Sequence, residues 1–255
     1  MSARLASLFS GLALLVVLAL SPGAAPAKWK PVLGPRVGLN AFAALVDQQF
    51  AAARNGLRIL AATENAASAD WSRIEAPLAV FARATPASAA VWFARPDGSY
   101  FTVHGGPSSD NLRDRGYFPR LIAGQEVLGD LVVSKSTGKR SAIIAVPVKV
   151  KGRVVGAVGL SMAMEKVAAL VDDEIGFAPD VMFYALNNDG QIALHRQTTL
   201  LFDFAGKLGS PSLTAAVKDM LAQPAGTVQY EFQGKDRKAI FKKSDTTGFV
   251  YALRW

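Results

Sequence analysis

The hydrophobic residues between positions 39 and 60 recur at intervals of three and four. This spacing places them on one face of an α-helix, so the sequence predicts a long helix with a single apolar stripe. A second, shorter helical pattern covers residues 71–84, where Pro77 predicts a kink or a division because proline has no N–H to donate. Pro86 predicts its end. The stripe of the long helix consists of Leu39, Phe42, Val46, Phe50, Ala53, Leu57 and Leu60.

Beyond residue 88 the pattern changes to alternation of apolar and polar positions, which is typical of β-strands. Strands are predicted in pairs, and stretches that contain a helix separate one pair from the next. The order of hairpin, insert and hairpin occurs twice. The predicted elements are strands 90–94 and 100–104, a helix at 117–124, strands 142–150 and 154–162, a helix at 165–174, strands 182–186 and 191–195, a helix at 211–221, and strands 226–233, 238–243 and 249–255.

The turns of the two halves also correspond. The Asp97-Gly98 turn recurs 92 residues later as Asp189-Gly190, and Gly152 recurs 96 residues later as Gly248. Internal similarity at such a spacing predicts two copies of one small unit, and hairpin connections predict antiparallel sheets with helices on one face. The expected fold class is therefore α+β, with a long N-terminal helix packed on two tandem antiparallel-sheet modules. The predicted boundaries are 28–88 for the N-terminal linker and helices, 89–162 for the first module, 163–180 for a linking helix, and 181–255 for the second module.

The first 27 residues read as an export signal that is removed from the mature protein. Arg4 supplies the positive charge, residues 5–20 the apolar segment, and Ala25 and Ala27 the small residues of a cleavage site. The alternative is an inner-membrane anchor formed by residues 5–20. Those 16 residues are short for a membrane span, which needs about 20. The sequence therefore predicts a periplasmic or secreted protein.

The composition excludes several function classes. The 255-residue chain has no cysteine and only two histidines, His104 and His195, so thiolate metal sites and catalytic thiols are ruled out and no metal or cofactor is expected. The net charge of +8 is scattered along the chain. Its densest cluster, at positions 237–243, reads as the edge and solvent face of a strand, and no nucleic-acid partner is expected.

Two enzyme motifs are incomplete, so no catalytic residue is predicted. Residues 159–163 (GLSMA) approach a nucleophile elbow with Ser161 as nucleophile and His195 as its candidate base. The last glycine of the elbow is missing, however, and the hairpin order does not suit a hydrolase sheet. Residues 136–139 (STGK) suggest a phosphate loop, but Val133 stands where that loop needs glycine. Serine hydrolysis remains only a remote alternative.

Four segments in order are similar to the double Cache family, the PAS-like extracytoplasmic sensor domains of bacterial chemoreceptors and histidine kinases. They are residues 114–118 (DRGYF), 133–139 (VSKSTGK), 144–148 (IAVPV) and 152–159 (GRVVGAVG). The resemblance covers nearly all of residues 28–255. It implies that a ligand lies between the sheet and the insert of the first module, beside an element formed by Arg115, Tyr117 and Phe118. In that element Arg115 and Tyr117 are implied to hold the carboxylate of the ligand.

Departures from the family pattern change the expected ligand. Val132 and Ser134 stand where amino-acid-binding members have an aromatic residue and an aspartate, and Ser161 replaces a second aspartate. Without acids to hold an α-ammonium group, the pocket is predicted to prefer a small organic acid to a free amino acid. Ser134, Ser136 and Ser161 are candidate hydrogen-bonding groups, and Trp92 and Tyr100 are candidate walls. The alternative that Arg115 lies on the surface and the aromatic residues form core stays open.

These features predict an exported, non-catalytic sensor that acts through a membrane sensor kinase or chemoreceptor. The chain ends at Trp255, where family receptors continue into a membrane span, so a free-standing form that needs a partner is expected. A homodimer through the long helix is a further candidate. The rival hypothesis is a ligand-free interaction module that docks on a membrane receptor. We expect only the first module to retain a usable cavity.

Overall fold

A computed structural model of the protein describes residues 34–255, so the predicted export signal lies outside the described residues. Both helices of the N-terminal region form as predicted, and no helix within 34–255 combines the length and apolar character needed to cross a bilayer. The helices are α1 (Pro35–Ala61), α2 (Glu64–Ala67), α3 (Trp71–Ala84), α4 (Phe118–Ile122), α5 (Met164–Ile175) and α6 (Pro211–Ala222). The strands are β1 (Ser88–Ala94), β2 (Ser99–Thr102), β3 (Gly106–Asn111), β4 (Val127–Val133), β5 (Arg140–Val150), β6 (Arg153–Ala163), β7 (Met182–Leu186), β8 (Ile192–His195), β9 (Ala225–Phe232), β10 (Lys235–Lys243) and β11 (Val250–Arg254).

The apolar stripe of α1 is buried along its length. Pro35 occupies the first helical turn, where its missing N–H costs nothing. The predicted division of the second helix is wrong, because α3 runs through Pro77 without interruption. Ile74 and Leu78, on either side of the proline, are buried and hold the helix against the core. Packing therefore offsets the one lost backbone hydrogen bond.

Two antiparallel sheets follow the helices. The six-stranded first sheet has the order β3-β2-β1-β6-β5-β4, and the five-stranded second sheet has the order β8-β7-β11-β10-β9. With β3 set aside, the two orders are the same arrangement of a repeated unit. The predicted fold class, a long N-terminal helix packed on two antiparallel-sheet modules, is confirmed.

Three expectations about single strands are wrong. β3 and β4 lie in stretches where no strand was predicted, because β3 is polar and β4 is interrupted by a bulge at Gly129, whose φ is +95°. Both strands form because they pair with strong neighbours, β2 and β5. β10, which carries the basic cluster, is not an edge strand, since it lies between β9 and β11.

Alternate residues of each sheet face two different cores. One face of both sheets packs against α1, so a single apolar cluster runs from the first sheet to the second. The opposite face of the first sheet is covered by the insert at residues 105–126, and that of the second sheet by α6 and residues 198–208. We call these the outer faces. Each outer face combines aromatic and polar side chains, and both cavities described below lie there.

Asp47 ties α1 to the second module. Its carboxylate accepts hydrogen bonds from Ser244 Oγ at 2.7 Å and from Tyr251 Oη at 2.8 Å. Ser244 Oγ also accepts from the backbone N–H groups of Thr246 and Thr247, which closes the turn between β10 and β11. Burial, followed by the nearby Asp47 charge, raises the pKa of Tyr251 well above its ordinary value, so its hydroxyl stays a donor.

Candidate functional site

A small cavity of about 20 Å³ lies under the insert on the outer face of the first sheet. Seven of the eight residues predicted from the sequence line it, although they come from three strands and two loops. The eighth, Phe118, lies in the packed cluster behind the cavity and is 3% exposed. The cavity is lined by Trp92, Tyr100, Leu112, Arg115, Tyr117, Val132, Ser134, Lys135, Ser136, Ile143 and Ser161. Their role in binding stays a prediction.

The floor of this cavity depends on one glycine. Trp92 on β1 stands opposite Gly159 on β6 in the antiparallel register. A Cβ atom at position 159 would lie 2.3 Å from Trp92 Cζ2, far inside van der Waals contact. Gly159 therefore lets the indole lie flat on the neighbouring strand. Both Trp92 and Tyr100 are 3% exposed, so they form the floor and are not free surface residues.

Two tyrosines bring hydroxyl groups to the cavity. Tyr100 Oη is buried and has no hydrogen-bond partner among the described residues. A buried hydroxyl without a partner is costly, since its desolvation is not repaid by any bond. Burial is also the main cause that raises the pKa of Tyr117, which keeps that phenol protonated. The cavity thus holds an unsatisfied donor that suits an acceptor atom of a ligand.

Two cations lie at the mouth of the cavity. Arg115 donates from one guanidinium nitrogen to the carbonyl of Val133 at 2.7 Å, which leaves further donors for a ligand. Lys135 is already occupied, because its Nζ donates to Asp114 at 2.7 Å and to the carbonyl of Asn111 at 2.6 Å. Among the described lining residues none is acidic. The local charge therefore favours an anion over an ammonium group.

Four lining residues are absent from the predicted site: Val132, which was identified from the sequence only as a departure from the family pattern, and Leu112, Lys135 and Ile143, which sequence reasoning missed altogether. Ile143 follows from the alternation along β5, since Ile143 and Ala145 share the outer face. Leu112 and Lys135 lie in loops, where no periodicity reports which way a side chain points. Their place is set by the hydrogen bonds between the insert and the turn after β4.

The cavity is nearly closed. A volume of 20 Å³ admits about one water molecule, which needs roughly 10–15 Å³. The bonds of Lys135 to Asp114 and of Arg115 to the Val133 carbonyl span the two sides of the mouth. An organic acid would enter only after the insert has moved away from the turn at residues 134–138.

The expectation that only the first module retains a cavity is wrong. A second cavity of about 50 Å³ lies on the outer face of the second sheet, beneath α6. Its polar lining includes His195, which is 8% exposed, together with Tyr184, Tyr230 and Arg254. Burial, followed by the nearby Arg254 charge, lowers the pKa of His195 to about 4, so the imidazole is neutral near pH 7.

The geometry gives the hydrolase alternative no support. Ser161 lines the first cavity and His195 lines the second, so the two residues of that alternative belong to different sites. His104 is exposed in the loop after β2. Among residues 34–255, no group of three His, Asp or Glu side chains is placed to hold a metal ion.

Solved structures that share this fold include extracellular and ligand-binding domains of chemoreceptors and of proteins assigned as histidine kinases. The extracellular domain of rpHK1S-Z16, a protein assigned as a histidine kinase, has a TM-score of 0.70 at 15% identity and covers 85% of this chain and 90% of its own. The ligand-binding domain of the Pseudomonas aeruginosa PAO1 amino acid chemoreceptor PctB, in complex with L-arginine, has a TM-score of 0.68 at 16% identity, over 84% of this chain and 89% of its own.

An extracellular ligand binding receptor from Desulfohalobium retbaense DSM5692 has a TM-score of 0.65 at 12% identity; 88% of this chain matches 41% of that one. The chain thus spans less than half the length of that receptor. No protein-family model matches the sequence, and none of the curated proteins does. At such identities the similarity establishes the fold, and the double Cache fold inferred from the sequence is confirmed.

Proposed function

We propose that this chain is an extracytoplasmic sensor domain that binds a small organic acid in the cavity of the first module. One observation carries the proposal: the cavity combines the guanidinium of Arg115 and the unpartnered hydroxyl of Tyr100 with a lining that holds no acid among the described residues. A guanidinium offers a carboxylate two parallel hydrogen bonds, and a phenol adds a third donor. The α-ammonium group of an amino acid would find no counter-charge there.

Binding is coupled to the insert in this proposal. Lys135 and Arg115 bridge the insert and the turn after β4 in the closed form. A ligand that accepts from Arg115 holds the insert at a new position and so changes the packing of the first module along α1. The ligand shifts this equilibrium only by its difference in affinity for the two forms.

The partner would be a membrane sensor kinase or a chemoreceptor, and the domain itself is proposed to be non-enzymatic. Residues 1–27 would direct export, or residues 5–20 would anchor the chain in the inner membrane. A homodimer through α1 is the proposed arrangement for passing the movement on, because Val37 and Ile59 are 59% and 71% exposed on that helix.

The experiment compares Arg115→Met with Arg113→Met, an exposed arginine two residues away on the same insert. Calorimetric titration of the purified protein with organic acids, amino acids and polyamines identifies the ligand. Loss of a charge-assisted bidentate contact should weaken an organic acid by about 10- to 100-fold in the Arg115 variant only. Equal affinity in both variants, or preference for an amino acid, contradicts the proposal.

The volume of 20 Å³ favours one rival function, a ligand-free module that docks on a membrane receptor. In that case no compound of any class produces heat or a thermal shift. Substitution of Ile59 by lysine on the exposed face of α1 would then abolish assembly while the fold is unchanged. A ligand that depends on Arg115 excludes this rival.

A further inference from the structure

The second cavity has one polar end and otherwise apolar walls. It lies between the outer face of the second sheet and the cover formed by α6 and residues 198–208. Five hydrogen-bonding side chains mark the polar end, namely Tyr184, His195, Gln197, Tyr230 and Arg254. The apolar walls come from Met182, Ile192, Leu200, Ala205, Leu208, Leu213, Val217 and Phe232.

Strand register places this cavity at the same point of the repeat as the first one. Trp92 pairs with Gly159 on β6, and Tyr184 pairs with Ala252 on β11. One step further along the same face, Ser161 pairs with Ala90, while Arg254 pairs with Met182. Arg254 therefore stands where the first module has Ser161. The second module has a cation on the sheet itself, whereas the cation of the first module comes from its insert.

Arg254 forms none of the ion pairs found within residues 34–255. The charged side chain that acts on it is another cation, Arg237 on β10. Burial, followed by repulsion from Arg237, lowers the pKa of Arg254. Arg237 Nε is itself buried without a hydrogen-bond partner. Two half-buried guanidinium groups that form no ion pair among the described residues are an arrangement that an anion would stabilise.

The neighbouring polar groups are all able to donate. His195 Nδ1 accepts the backbone N–H of Gln197 at 2.8 Å, so the neutral ring carries its proton on Nε2. Tyr184 Oη and Tyr230 Oη lie 3.3 Å apart. Tyr184 Oη also lies 3.8 Å from Met220 Sδ, a weak acceptor. When Tyr184 donates to Tyr230 instead of to this sulfur, the hydroxyl proton of Tyr230 is free for a ligand. The polar end of the cavity thus presents donors from an imidazole, a phenol and a guanidinium.

We propose that the second module holds a separate binding site for a short-chain monocarboxylate, whose carboxylate contacts Arg254 and His195 and whose alkyl chain lies against α6. The volume of 50 Å³ accommodates about three to five non-hydrogen atoms, because one water-sized sphere occupies about 10–15 Å³. Acetate and propionate have that size. A second carboxylate would meet the apolar walls, so dicarboxylates are excluded. This site is independent of the organic-acid site proposed for the first module.

The test uses the purified protein and sodium propionate. Calorimetric titration measures affinity in the unchanged protein, in Arg254→Met, and in Arg153→Met, which changes an exposed arginine on β6 as the matched control. Hydrogen–deuterium exchange with and without propionate locates the site. We expect Arg254→Met to weaken propionate at least tenfold and Arg153→Met to leave it unchanged. Slower exchange should appear in residues 198–222 and not in residues 105–138.

The outcomes separate the two sites. Succinate and hexanoate should bind at least tenfold more weakly than propionate. The second carboxylate of succinate would meet the apolar walls, and the chain of hexanoate is too long for the cavity. Absence of propionate binding by the unchanged protein overturns the second site, and so does affinity retained in Arg254→Met. Protection confined to residues 105–138, and abolished by Arg115→Met, also overturns it, while supporting the site in the first module. If Arg254→Met does not fold, Arg254→Lys replaces it, since it keeps the charge and loses the bidentate geometry.

Discussion

Lowering the pH below 7 should reduce the unfolding free energy of the protein, and His195 is the expected cause. This imidazole is buried under the cover of the second module, and burial lowers its pKa to about 4 from the ordinary 6.5. The unfolded chain therefore takes up a proton near pH 6.5, whereas the folded chain takes it up only near pH 4. Unfolding binds a proton between these values, so stability falls as the pH falls through that window and is fully present above it.

The magnitude follows from the two pKa values. The difference between a pKa of 6.5 in the unfolded chain and about 4 in the folded chain corresponds to about 3 kcal/mol of unfolding free energy. Of this, about 2 kcal/mol is lost between pH 7 and pH 5. The assay is urea unfolding at pH 7, 6 and 5 in a buffer without carboxylates, which would occupy the cavities. His195→Asn is the test variant, because the amide oxygen of asparagine can still accept the N–H of Gln197.

The quantity compared is the loss of unfolding free energy between pH 7 and pH 5. We expect the unchanged protein to lose about 2 kcal/mol more than His195→Asn. The same substitution at the exposed His104 is the matched control for removal of an imidazole. Equal losses in the unchanged protein and in His195→Asn refute the reasoning. An imidazole proton resonance of His195 that titrates above pH 6 in the folded protein refutes it as well.

Two further substitutions test the packing. Gly159→Ala should lower the unfolding free energy by about 1–3 kcal/mol, because the new Cβ meets the ring of Trp92 and forces it into the first cavity. Urea unfolding measures the loss. An unchanged unfolding midpoint contradicts the prediction. Asp47→Ala should cost about 1–3 kcal/mol, because the hydroxyl of Tyr251 loses its acceptor. Gln48→Ala on the exposed face of α1 is the control, and equal unfolding midpoints would show that Asp47 contributes nothing.

The sequence by itself determined the elements whose signals are local. The stripe of α1 appears in the spacing of its apolar residues, and β7 follows from a short apolar run bounded by turn residues. Hairpins were predicted correctly because Asp97-Gly98 and Asp189-Gly190 supply the geometry that a tight turn requires. The order of these signals also indicated a repeat, which fixed the fold class.

Only the tertiary structure decided that β3 and β4 are strands, because they form by pairing with the neighbouring strands β2 and β5. β3 has a polar sequence and β4 contains a bulged glycine, so neither carries an alternating pattern of its own. Each becomes a strand because a neighbouring edge offers unpaired N–H and C=O groups. The continuity of α3 through Pro77 has the same origin, since burial on one face outweighs a local preference.

The two cavities show the same division. Seven residues of the first cavity were predicted. Four of them lie in motifs that resemble the double Cache family, and the other three come from the strands on which that resemblance implies the ligand lies. The second cavity had no such signal: His195 and Arg254 are 59 residues apart in the sequence and meet because β8 and β11 both pair with β7. Whether a cavity remains between a sheet and its cover depends on side-chain volumes across that gap. Sequence spacing carries no information about such volumes, so only the packed structure decides it.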